Sequence, residues 1–165
     1  MDWYPWIVLV HVTAAFAFVL AHGTSVFVAL RLRGERDRDR VAALLDVSGT
    51  SIGLLYIALL VLLVAGIAAG IVGGHFGRLW IWVALGVLTV IMGAMYGIGT
   101  TYYIRLRKAV GAQLAQKPKP GEPAPELATP EELAALLDSS RPYVLAAIGG
   151  IGLIVIVWLM TLQPF

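Results

Sequence analysis

Four long runs of apolar residues without a charged side chain constrain this chain more than any other feature. They cover about residues 3–30, 50–73, 79–104 and 142–162. Each run reaches the ~20 residues that a helix needs to cross the hydrocarbon core of a bilayer. Transmembrane strands would alternate apolar and polar residues, and no run does so. The sequence therefore predicts an all-α membrane protein, a four-helix bundle in one domain that covers residues 1–165.

Composition excludes several classes of protein. With 59% hydrophobic and 13% charged residues, the chain lacks the polar surface that a soluble domain of 165 residues requires. Because cysteine is absent, disulfides, thiolate metal sites and c-type haem attachment are excluded. The sequence shows neither a glycine-rich phosphate loop nor a nucleophile–base–acid set. We therefore expect a binding or structural protein rather than an enzyme.

Basic residues are concentrated in two of the three loops. Of the twelve Lys and Arg, five lie in the loop 31–49 and six in the loop 105–141, whereas Arg78 lies in the remaining loop. Cytoplasmic loops carry an excess of Lys and Arg, so we expect both basic loops in the cytoplasm and both termini outside. The positive charge thus reflects topology, and no nucleic-acid partner is expected.

Each basic loop contains a short predicted amphipathic helix. The first is VAALLDVSGT at 41–50. The second is TPEELAALLDSS at 129–140, which begins with a capping box formed by Thr129 and Glu132. The proline-rich stretch KPKPGEPAPELATP at 117–130 is expected to be extended or disordered.

Two pairs of similar segments suggest an internal duplication. The sequence AALLD occurs at 42–46 and again at 134–138. The segments AHGTSVFVALRLR at 21–33 and MYGIGTTYYIRLR at 95–107 share a glycine and the closing Arg-Leu-Arg. We interpret these matches as two tandem parallel helical-hairpin repeats, related by an axis along the membrane normal.

Two histidines in the first apolar run are the strongest functional signal. His11 and His22 lie 11 residues apart, close to three helical turns, and so project from nearly the same face of the helix. Polar side chains at such depth usually face other helices and are functional candidates. The alternative is that each imidazole only forms a hydrogen bond that holds two helices together.

Three uses of these histidines stay open at this point. In the first, His11 and His75 hold one b-type haem, and His22 binds haem either alone or with Met95, Met92 or Tyr96. In the second, His11, His75 and a methionine bind copper. In the third, no cofactor is bound and the protein is a structural or assembly subunit. Haem is the leading hypothesis, with a role in electron transfer or as an accessory subunit.

Glycines spaced by four residues predict close helix packing. They are Gly66 and Gly70 in the second run, Gly74 just after it, and Gly93 and Gly97 in the third run. Small residues at this spacing let helix backbones approach closely in lipid. Besides the lipid bilayer, the expected partner is therefore a second copy or a larger membrane complex, contacted through these glycine-rich faces.

A family resemblance rests on three features of the chain. They are the stretch WIVLVHVTAAFAFVLAHG at 6–23, the basic turn RLRGERDRDR and the four-span layout. The chain resembles small bacterial four-helix integral membrane proteins of unknown function, which are distantly similar to the copper resistance D-like domain. The resemblance implies a location in the bacterial inner membrane. It also implies that His11, near the start of a span, takes part in metal or haem handling.

Overall fold

The computed structural model describes residues 2–112 and 127–165, and in this part of the chain every regular element is helical. The elements are α1 (Tyr4–Leu32), α2 (Arg38–Val72), a 3₁₀ turn (His75–Gly77), α3 (Leu79–Ala109), α4 (Pro130–Leu137) and α5 (Arg141–Leu162). The helices α1, α2 and α3, and the segment that contains α5, are each long and apolar enough to cross a membrane. This confirms the predicted all-helical class, with four long apolar helices that could span a membrane, as expected of a multi-pass membrane protein.

The four long helices associate as two pairs. Helix α1 packs along α2, and α3 packs along α5, while α1 also contacts α5. Large apolar side chains on the outer faces are 64–72% exposed, as Phe16, Leu60, Val90 and Ile154 show. Side chains of this kind are as apolar as lipid tails, so these outer faces suit contact with a bilayer.

Buried residues form two clusters at opposite ends of the helices. The cluster at the end with the basic loops comprises Val28, Leu32, Val41, Leu45, Tyr102, Leu106, Ala109, Val110, Leu133 and Leu137. The cluster at the other end comprises Trp80, Ile81, Ala84 and Leu159. We call these the basic-end cluster and the tryptophan-end cluster. The basic-end cluster joins the two helix pairs, whereas the tryptophan-end cluster lies within the pair of α3 and α5. The middle of the molecule is less tightly filled.

The predicted helix at 41–50 is not a separate element, because α2 runs through it without a break. Helix α2 begins at an N-cap, Asp37, whose carboxylate accepts a hydrogen bond from the Arg40 N–H at 2.9 Å. In the same turn, the backbone N–H groups of Asp37 and Arg36 donate to the Glu35 carboxylate, and these bonds lower the pKa of Glu35. The first basic loop is therefore a short, capped turn between two long helices.

Helix α4 begins as the sequence predicts. The Thr129 hydroxyl accepts from the Glu132 N–H at 3.2 Å, and the Glu132 carboxylate accepts from the Thr129 N–H at 2.9 Å. Leu133 and Leu137 attach α4 to the basic-end cluster. Most of the proline-rich stretch falls in residues 113–126, which lie outside the described residues.

Alanine in place of Leu137 is expected to destabilise the basic-end cluster. The Leu137 side chain is completely buried, and a buried leucine replaced by alanine costs about 2–5 kcal/mol. We expect a loss of that size in the free energy of unfolding of the detergent-solubilised protein. Leu127→Ala is a matched control, because this leucine is 56% exposed, and should change the free energy by less than about 0.5 kcal/mol. Equal effects of the two variants would contradict the anchoring role of Leu137.

Candidate functional site

A cavity of about 1170 Å³ lies between the two helix pairs, in the middle of the molecule. Residues of α1, α2, α3 and α5 line it, and His22, Met95 and Tyr96 are among them. The structure thus brings together three of the five residues that the sequence suggested for cofactor binding. Pockets for small molecules and cofactors in proteins are commonly about 300–1,000 Å³, so this cavity has room for a ligand of that class.

Contacts between α3 and α5 show that His22 and Met95 lie at the same depth. A Cβ atom at Gly99 would lie 3.8 Å from Leu145, and one at Gly152 would collide with Ile91. Because α3 and α5 are antiparallel, these two contacts place Met95 level with Gly149 of α5. The imidazole of His22 covers Gly149, so it shares that level.

His22 has a ligand-competent nitrogen without a protein partner. Its ring stacks on Phe18, with centroids 6.2 Å apart and planes 7° apart. The ring edge rests on Gly149, where an added Cβ would lie 2.6 Å from Cε1 and closer still to Nε2. Nε2 is buried and forms no hydrogen bond within the described part of the chain. Leaving a buried polar atom unsatisfied costs about 1–3 kcal/mol. The Nδ1 of His75 is also buried without a hydrogen bond, but of the three histidines only His22 lines the cavity.

The cavity opens sideways between α2 and α3. Tyr56 of α2 and Tyr96 of α3 both line it, yet they are 53% and 69% exposed. The two helices meet near the tryptophan end, where Ile81 contacts Gly70, and near the basic end, where Arg107 contacts α2. Between these contacts the tyrosines flank an opening that faces the lipid-contacting surface. A ligand dissolved in the bilayer could enter by this route.

His11 binds a neighbouring helix rather than the cavity. Its Nδ1 lies 2.9 Å from the backbone carbonyl oxygen of Leu62 and donates a hydrogen bond to it. The ring packs on Gly66, where an added Cβ would lie 2.9 Å from Cε1. Since Gly66 has no side chain, the carbonyl one turn earlier stays accessible to the imidazole. A backbone partner leaves no signal in the sequence, so the hydrogen bond to Leu62 was not predicted.

The structure does not bring His75 together with His11. His75 packs on Gly73, seven residues beyond Gly66, so roughly 10 Å of helix separates the two contacts. Two nitrogens on one metal ion lie within about 4 Å of each other, given metal–nitrogen distances near 2.0–2.1 Å. Instead, the Nε2 of His75 lies 3.1 Å from the Tyr4 hydroxyl, beside the tryptophan-end cluster.

At the basic end, one arginine from each helix pair donates hydrogen bonds to the other pair. Arg33, at the C-terminal end of α1, donates to the backbone carbonyls of Asp138 and Ser139, just after α4. Arg107 of α3 donates to the Leu45 carbonyl and to the Asp46 carboxylate of α2. These arginines close the two similar segments that end in Arg-Leu-Arg. The sequence showed the matching positions but not that each arginine contacts the other pair.

Comparison with known proteins does not add a functional assignment. No protein-family model matches the chain, and no curated protein or solved structure shows significant similarity to it. Within the described residues, no three His, Cys, Asp or Glu side chains form a group that could hold a metal ion. The relationship to copper resistance D-like proteins therefore stays a prediction, and the site must be interpreted from its geometry.

Proposed function

We propose that this protein binds b-type haem in the cavity between the helix pairs, with His22 as axial ligand. The observation that carries the proposal is the partnerless Nε2 of His22 at the edge of a cavity of about 1170 Å³. Imidazole is a common axial ligand of haem in helical membrane and soluble proteins. Bound haem would supply one-electron transfer, which fits a small electron-transfer protein or an accessory subunit.

The residues around His22 suit such a group. Met95 lies at the same depth, and Tyr96 lines the same cavity, so a thioether or a phenol is present for the second axial position. Gly149 leaves the ring edge of His22 without a side chain against it. Ligation requires the imidazole to turn from Gly149 into the cavity, where the stacked Phe18 supplies an apolar wall.

A structural role is the second candidate, favoured by a different observation. All three histidines pack on glycines, and His11 and His75 have partners on neighbouring elements. Histidines that only join helices would require no cofactor, and the protein would then act as a subunit of a membrane complex.

A copper site has weaker support, because His11 and His75 lie at different depths. Its remaining ligands would have to come from methionines.

The arrangement of charge supports an orientation. Arg31 to Arg40, Arg105 to Lys108 and Arg141 all lie at the end of the helices that holds the basic-end cluster. By the positive-inside rule this end faces the cytoplasm, which puts both termini outside, in a bacterial inner membrane.

The predicted oligomer contact has less support. An added Cβ at Gly93 or Gly97 would meet nothing within 4 Å, so any helix that packs there belongs to another chain.

The proposed duplication is supported by equivalent positions in one cluster. Leu45 and Leu137 match in the AALLD segments, and both are completely buried in the basic-end cluster. The matched Arg33 and Arg107 each contact the opposite helix pair. We interpret the four spans as a bundle of two fused hairpins with the cavity between them, and His22 and Tyr96 as equivalent positions that line it.

An absorption spectrum tests the haem proposal directly. The protein is purified in detergent from cells supplied with haem and copper, and spectra are recorded before and after dithionite, with metal analysis of the same sample. We expect a Soret band, and sharper visible bands after reduction. A featureless visible spectrum without bound metal would reject both cofactor proposals and leave the structural role. Copper without a Soret band would favour the copper alternative.

A further inference from the structure

We propose that the ligand of this cavity is an acidic amphiphile whose acidic edge binds Arg107. The inference rests on the proposed function, because haem b is an apolar ring that carries two propionate carboxylates on one edge. It assigns Arg107 as a specificity-determining residue and fixes how the ligand lies between the helices.

The lining of the cavity is polar at one end and apolar at the other. Toward the basic end it contains Asp46, Ser48, Thr50, Thr100 and Arg107. Toward the tryptophan end it contains Leu88, Ile91, Leu153 and Ile156. A ligand that matches this lining has an apolar body and a polar edge, and the cation at the polar end favours an acidic edge.

Arg107 lies within reach of a ligand centred at the level of His22. His11 packs on Gly66 of α2, and His22 lies 11 residues further along the antiparallel α1. This puts His22 level with Leu55, six residues or roughly 9 Å from the level of Gly49. The guanidinium of Arg107 lies over Gly49, with Nη2 2.8 Å from the position of an added Cβ. A flat ligand at His22 thus brings its edge to Arg107.

The chemistry of Arg107 suits a carboxylate. Its Nη1 lies 3.3 Å from the Asp46 carboxylate, whose side chain is 74% exposed, and exposed ion pairs of this kind contribute little. The Arg107 side chain itself is only 20% exposed. A guanidinium recognises carboxylates through paired N–H donors, and such charged hydrogen bonds are stronger away from water. A propionate would join Asp46 at Arg107 or displace it.

Arg33 provides a matched control. It occupies the equivalent position in the other helix pair and also donates to backbone carbonyls, those of Asp138 and Ser139. Its guanidinium lies 4.6 Å from the centre of the Tyr143 ring. Among the described residues, Arg33 lies outside the lining of the cavity. Arg33→Gln therefore removes a similar structural contact without changing the charge inside the cavity.

The test compares haem b with its dimethyl ester, in which both carboxylates are neutral. Each is titrated spectroscopically into the haem-free, full-length protein in detergent, using the wild type, Arg107→Gln and Arg33→Gln. We expect the wild type to bind haem b more tightly than the ester. Arg107→Gln should weaken the binding of haem b about tenfold or more, because a hydrogen bond to a charged group contributes about 1.5–3 kcal/mol. The affinity for the ester should stay unchanged. Arg33→Gln should leave the ratio of the two affinities unchanged.

Each other outcome has a distinct meaning. Equal affinity of the wild type for haem b and the ester would overturn the inference and leave the haem proposal standing. Equal weakening of both ligands in Arg107→Gln would also overturn it, because the arginine would then act only through α2. If the wild type binds neither ligand, the proposed function fails together with the inference. The wild-type comparison needs no variant, so it decides the matter even if Arg107→Gln does not fold.

Discussion

Alanine in place of His22 is expected to give a protein that purifies without haem. The physical reason is that His22 carries a buried imidazole nitrogen without a hydrogen bond and is the histidine that lines the cavity, at the depth of Met95. Loss of an outer-shell partner already costs a metal site roughly 10–100-fold in affinity, and loss of an axial ligand should cost more. The ratio of Soret absorbance to protein absorbance in samples prepared in parallel measures the effect.

His11→Ala and His75→Ala are the matched controls for this experiment. Each removes an imidazole that packs on a glycine, but outside the cavity. Both variants are expected to keep the haem-to-protein ratio of the wild type. His11→Ala should lose about 0.6 kcal/mol of stability, the average for side-chain hydrogen bonds between membrane helices. Haem loss in His11→Ala with normal haem content in His22→Ala would contradict the assignment and return the ligand role to His11.

Alanine at Gly149 is expected to destabilise the haem-free protein by about 1–3 kcal/mol, the usual cost of an extra methyl group in a packed interior. The added Cβ would collide with the His22 ring, at 2.6 Å from Cε1. Either the imidazole or α5 must then move. Unfolding of the detergent-solubilised protein by heat or by increasing dodecyl sulfate measures the difference from the wild type.

Gly150→Ala is the control for Gly149→Ala, since an added Cβ at Gly150 meets nothing within 4 Å. It should be neutral or slightly stabilising, because glycine is less favourable than alanine by roughly 0.5–1 kcal/mol in a helix. The double variant His22→Ala with Gly149→Ala should recover much of the loss, because the colliding ring is gone. A Gly149→Ala protein as stable as Gly150→Ala would contradict the packing of His22 on α5.

Hydropathy located the four spans because exclusion of charge from a bilayer core is a local property of the chain. The predicted runs 79–104 and 142–162 begin within one residue of α3 and α5. The capping box at Thr129 was equally local, and the structure confirms it. The sequence was wrong about a separate helix at 41–50. The segment from Arg38 to Val72 contains no proline, so nothing interrupts its backbone hydrogen bonds.

The candidate site depended on information that a linear pattern does not carry. Spacing predicted that His11 and His22 lie on nearly the same face of α1. Three features were not predictable from the sequence. They are the hydrogen bond from His11 to the Leu62 carbonyl, the hydrogen bonds of Arg33 and Arg107 to the opposite helix pair, and the sideways opening at Tyr56. Each depends on how one helix crosses another, which side-chain periodicity leaves undetermined.

Residue chemistry alone therefore predicted an all-helical chain with four apolar spans and with most of its basic residues at one end. The tertiary structure decided that His11 packs on α2 while His22 packs on α5 and borders a cavity. The physical reason is that α1 has different neighbours along its length, so two side chains on one face enter different environments. Any apolar residue at an outer position is compatible with the bilayer, so those positions are predictable from hydropathy. The shape of the cavity between the two helix pairs depends on all the contacts between helices together.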